Sequence, residues 1–100
     1  MKNFYGGLFM NRENLKKEGK FYPIKLEYYK IKEEEKNIET YGIEVIKTEY
    51  GREDVKIEKA NILKLTKNED IANQILEILK MNEVTPISMH EVVQDLTKCW

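Results

Sequence analysis

Residues 66–100 read TKNEDIANQILEILKMNEVTPISMHEVVQDLTKCW, and their patterning decides the fold. Thr66 followed three residues later by Glu69 forms a capping box, in which the hydroxyl accepts from an orphan backbone amide and the carboxylate reaches back. A helix should therefore begin near Lys67. Ile71, Ile75, Ile78 and Leu79 fall at i, i+4, i+7 and i+8, Ala72 and Leu76 widen the stripe, and Glu69, Asn73, Gln74, Glu77 and Lys80 take the outer face. Asn82 suits a left-handed C-terminal residue, and Thr85-Pro86 restarts the chain with a cap and a first-turn proline. Met89, Val92, Val93 and Leu96 then repeat the helical spacing, with Trp100 one turn further along the same face. Helices this short are unstable in isolation, so they must pack on each other or on a shared sheet.

The preceding residues supply that sheet. In residues 21–31, Ile24, Leu26 and Tyr28 alternate with Lys25 and Glu27, as in a half-buried strand. Tyr29 and Ile31 then take the opposite parity, which predicts either a bulge, the simpler reading, or a strand end in contact on its other face. Glu33-Glu34-Glu35-Lys36-Asn37 reads as a turn, and residues 38–50 as a second strand with Tyr41, Ile43 and Val45 on one face. After Gly51-Arg52, Val55 and Ile57 alternate with Lys56 and Glu58 in a third strand, which either runs on or re-forms through Ile62, Leu63 and Leu65. The expectation is an α+β domain: a three- to four-stranded antiparallel meander followed by two C-terminal helices packed on one of its faces.

One hundred residues make one domain. At that size folding buries roughly 65% of the unfolded surface, enough for one core without staples. A lone Cys99 excludes an internal disulfide framework, and the Lys, Glu and Ile usage with no cleavable leader predicts a soluble cytoplasmic protein. Residues 1–10 are apolar but interrupted by Gly6-Gly7 and too short to span a bilayer, so no membrane role is expected. Charge is uneven: residues 1–32 carry eight Lys or Arg against three acids, whereas residues 33–100 carry nine against fifteen. Residues 1–20 therefore read as a basic, flexible N-terminal arm and residues 21–100 as the domain.

Motifs that carry chemistry are missing. His90 has Gln94 within one helical turn, and Glu91 has Asp95, but Cys99 lies nine residues from His90, and no set of about four convergent zinc ligands forms. An ordinary surface histidine is the simpler reading. Ser88 belongs to a helix cap, and Gly6-Gly7 lacks the strand, helix and third glycine of a phosphate-binding turn. No catalytic residue, metal or cofactor is assigned. The tyrosines are more informative: Tyr28 and Tyr41 should face the helices, and Tyr29 and Tyr50 should cover the opposite face of the sheet.

Tyr41-Gly42-Ile43-Glu44-Val45, the helix from Ile71 to Leu79, Val84-Thr85-Pro86 and Val92-Val93-Gln94-Asp95 together resemble a family of small uncharacterised clostridial (Firmicutes) proteins known as a domain of unknown function. The resemblance covers about residues 38–97. It implies a bacterial cytosolic setting and transfers no catalytic residues. The family's second helix carries a histidine two residues after its proline, whereas here Ile87-Ser88 follows Pro86 and His90 comes later.

The reading that fits best is a small non-enzymatic protein-interaction or regulatory domain, with a protein partner or a second copy of itself docking on Tyr29, Ile31 and Tyr50, and Trp100 as an aromatic anchor. The alternative is single-stranded nucleic-acid binding through Lys16, Lys17 and Lys20 with Phe21 and Tyr22 for stacking, aided by sheet aromatics. An enzyme using His90 with Glu91 or Asp95 is the weakest reading, since it needs a cleft that two short helices on a small sheet seldom provide.

Overall fold

The computed structural model describes residues 1–10, 23–51 and 53–98. Four strands, β1 (Lys2–Met10), β2 (Ile24–Glu35), β3 (Ile38–Tyr50) and β4 (Val55–Thr66), form an antiparallel sheet in chain order, followed by α1 (Glu69–Met81) and α2 (Pro86–Thr97). This is the expected α+β meander with its helices on one face. Ile24, Leu26 and Tyr28 of β2 and Ile43 and Val45 of β3 bury against Ile75, Leu76 and Leu79 of α1 and Met89 and Val93 of α2. Each aliphatic side chain of this size contributes about 1.5–3 kcal/mol on full burial, so the layer between sheet and helices dominates stability.

The fourth strand is not where the sequence suggested. Residues 2–10, assigned to a basic arm, are β1 and pair with β2 from Lys2↔Ile31 to Met10↔Ile24. Gly6-Gly7, which interrupts the apolar pattern, sits at a bulge: the register steps between Phe4 and Gly6, so Tyr5 is the extra residue. Its hydroxyl donates to Glu77 Oε2 of α1 at 2.7 Å. Gly6 is buried under the Lys80 side chain, whose Cδ would lie 3.1 Å from an added Cβ. The remainder of the proposed arm, residues 11–20, lies outside the described residues.

The bulge expected in β2 is absent, since β2 and β3 pair continuously from Ile24↔Glu49 to Glu35↔Ile38. Tyr29 and Ile31 break the alternation because that strand presents apolar residues on both faces. The acidic run is strand as far as Glu35. The turn is only Lys36-Asn37, whose φ values of 52° and 66° are those of a type I′ hairpin. β4 is one strand through residue 66 with an irregularity opposite Gly42, where an added Cβ would lie 2.9 Å from Leu63 Cα. It is Ala60 and Ile62 that pack on the core, not Val55 and Ile57.

Helix ends also shift. Asn68, not Thr66, caps α1, its Oδ1 accepting from the Asp70 and Ile71 amides, while Thr66 Oγ1 accepts from the Asn68 amide. Asn82 is not left-handed; the positive φ, 53°, falls on Glu83. Thr85 and Pro86 open α2 as expected, with Ser88 Oγ donating to the Thr85 carbonyl. Tyr28 ties the interhelical link to the sheet, its buried hydroxyl donating to the Val84 carbonyl at 2.9 Å. No helix among the described residues is long and apolar enough to cross a membrane.

Candidate functional site

Antiparallel pairing fixes what the helix-free face of the sheet presents, because side chains directly opposite share a face. The registers place Phe9, Lys25, Thr48 and Ile57 in one row across the four strands. Gly7, Glu27, Ile46 and Lys59 make the next row, and Phe4, Tyr29, Glu44 and Asn61 the third. Tyr29, Ile31 and Tyr50 thus share this face, as expected, and Tyr28 and Tyr41 lie on the helix side.

The face combines exposed apolar margins with a polar interior. On the β1 margin Phe9 is 65% and Phe4 60% exposed; on the β4 margin Ile57 is 58%, Val55 57% and Leu63 50% exposed. The β1 rings rest against the tyrosines, Phe4 edge-on to Tyr29 with centroids 5.5 Å apart and Phe9 tilted on Tyr50 at 6.4 Å. Between the margins, Lys2, Lys25, Glu27 and Glu44 are tied up in ion pairs. Lys2 Nζ lies 3.0 Å from Glu44 Oε2 and 4.7 Å from the Tyr29 ring centroid, a cation over a π face. Glu44 is only 7% exposed, so Lys2 is what makes its carboxylate tolerable there. Lys25 pairs with Glu27 at 3.6 Å, and Glu27 Oε2 also accepts from the Tyr29 hydroxyl at 2.7 Å. That hydrogen bond, followed by burial, holds the Tyr29 phenol above its ordinary pKa, as the Glu27 carboxylate does for Lys25.

At the tip of the β2–β3 hairpin, Glu33, Glu34, Glu35, Lys36, Ile38, Thr40 and Lys64 line a cleft of about 350 Å³. Lys64 pairs with Glu35 at 3.1 Å, and one Glu33 oxygen is buried without a hydrogen-bond partner. No group of three or more His, Cys, Asp or Glu among the described residues could hold a metal ion. His90, Glu91, Gln94 and Asp95 are exposed on α2, and Asp95 pairs with Lys98 at 4.0 Å. The remaining candidates, Lys16, Lys17, Lys20, Phe21, Tyr22, Cys99 and Trp100, lie outside the described residues.

Sequence reasoning missed Phe4 and Phe9 because β1 was not recognised, and Val55, Ile57 and Leu63 because the third strand was read without assigning its apolar residues to a face. The signal that could have found β1 was the glycine pair itself, a frequent mark of a bulge or a close approach within a strand.

No curated protein and no solved structure matches the chain. The model of one family matches residues 9–98, which span β2 to α2 and the end of β1. The protein belongs to that family, DUF6514, a family of unknown function.

Proposed function

We propose that this protein is a small non-enzymatic interaction domain of the bacterial cytoplasm, and that the helix-free face of its sheet is the docking surface for a protein partner. The observation that carries the reading is the pair of exposed apolar margins, Phe4 and Phe9 on one side and Val55, Ile57 and Leu63 on the other. Five large apolar side chains left in water on one face, around an interior in which Lys2, Lys25, Glu27 and Glu44 are already paired, have the make-up of a protein-binding surface. The paired interior also favours a protein over a nucleic acid: Lys2 and Lys25 are held by Glu44 and Glu27, whose carboxylates repel phosphates.

The test is photocrosslinking in the host cell from a photoreactive phenylalanine analogue at Phe9, compared with the same analogue at Gln74, exposed on α1. The reading expects discrete protein adducts from position 9 and none from position 74. Equal yields, or no adduct from position 9, would remove it.

A further inference from the structure

Resting on that reading, we infer that the occupant of the open face is a second copy of this chain, laid sheet on sheet about a two-fold axis that runs along the strands. Such an axis puts β1 of one copy over β4 of the other and β2 over β3. The two margins differ in kind, aromatic at Phe4 and Phe9 and aliphatic at Val55, Ile57 and Leu63, and this arrangement sets each against the other's complement. Because an axis along the strands keeps each row opposite itself, Phe9 lies over Ile57 of the second copy.

The charges agree with this arrangement. Lys2, Lys25 and Lys59 are matched in number on this face by Glu27, Glu33 and Glu44, and Glu35, on the same face, is paired by Lys64, so these charges balance. Laid on itself in this way, Lys25 meets Thr48, Glu27 meets Ile46, Tyr29 meets Glu44 and Lys59 meets Gly7. No lysine in these three rows meets a lysine, and no glutamate a glutamate. A neutral, self-matching face suits another copy better than a strongly charged partner does.

The area is sufficient. Four strands about 4.8 Å apart, over about nine residues of some 3.3 Å each, present roughly 550 Å² of flat surface per copy. Two copies therefore bury somewhat more than about 1,000 Å², at the lower limit of specific interfaces. Sheets packed this way sit about 10 Å apart with strands about 30° from parallel, the geometry of a β-sandwich.

The experiment is sedimentation velocity of the full chain over a concentration series, with Phe9→Glu, Ile57→Lys and a one-to-one mixture of the two variants. Both positions are exposed, so circular dichroism of each variant should match the parent, and so should melting at concentrations low enough for the parent to be monomeric. The expected result is a dimer in the parent. Each variant alone raises the dissociation constant on the order of a hundredfold. The mixture recovers a heterodimer, in which one contact is Glu against Lys and the other is unaltered. A parent that stays monomeric at several hundred micromolar, or a dimer that survives Ile57→Lys, overturns the proposal, and so does a mixture that fails to associate. A monomeric parent that still gives adducts to a different protein from position 9 removes the second copy while leaving the docking surface standing.

Discussion

The two faces of this sheet are built from the same four strands and solve opposite problems. On the helix side Leu26, Tyr28, Ile43 and Val45 are fully buried, and α1 and α2 exclude water from them. On the other side Phe4, Phe9, Val55, Ile57 and Leu63 stand in water, and Lys2, Lys25, Glu27, Tyr29 and Glu44 between them are bound to one another rather than to a covering layer. The difference teaches where stability ends and interaction begins. Apolar area already removed from water holds the fold, whereas apolar area still in water becomes favourable only when something docks.

The comparison breaks most readily at the core. Leu26→Ala should cost about 3–4 kcal/mol in urea unfolding, through lost burial and the cavity left between β2 and the helices. Phe9→Ala, on the opposite face, should change unfolding by less than about 0.5 kcal/mol.

Tyr28→Phe removes the hydroxyl that donates to the Val84 carbonyl, leaving that buried acceptor unpaired, and should cost about 1–2 kcal/mol at neutral pH. It also sharpens the comparison through pH. Burial, and then the Glu83 carboxylate, push the Tyr28 phenol up to about 12 from 10.0. A raised folded-state pKa means that the contribution is whole below pH 10 and is lost as the pH climbs towards 12. Urea midpoints should therefore fall across that window in the parent, and the fall should be shallower in Tyr28→Phe. Tyr29 is raised through its bond to Glu27 on the open face, and Tyr29→Phe should flatten the same window less.

Lys2→Ala tests whether the polar interior of the open face is more than decoration. It leaves the nearly buried Glu44 carboxylate without its ion pair and should cost about 1 kcal/mol, a penalty that Glu44→Gln in the same chain should largely relieve. A loss that the second substitution does not relieve would mean that Lys2 acts through packing of its stem.

Much of this division was legible in the sequence. The helical stripes of Ile71 to Leu79 and Met89 to Leu96 gave the covering layer, and Ile24, Leu26 and Tyr28 gave the face that it covers. Tyr29 and Tyr50 were placed on the second face, although the break in alternation at Tyr29 and Ile31 pointed first to a bulge that β2 does not have. What stayed hidden depended on partners distant in the chain. β1 is interrupted by a glycine pair whose sense appears only when Tyr5 bulges toward Glu77 and Lys80 lies over Gly6. The parity of β4 was unreadable because Val55 and Ile57 look like core until Ala60 and Ile62 are seen to take that place. The cap moved from Thr66 to Asn68 because both can accept from backbone amides, and β4 runs on through Thr66.

The most direct measurement pairs the two properties in one protein: urea unfolding at low concentration, and association at high concentration, of the double variant Phe9→Glu/Val55→Glu. The account predicts an unfolding free energy within about 0.5 kcal/mol of the parent, together with loss of association. Unfolding weakened by more than about 2 kcal/mol with association intact would mean that the open face holds the fold and does not dock, contradicting the account.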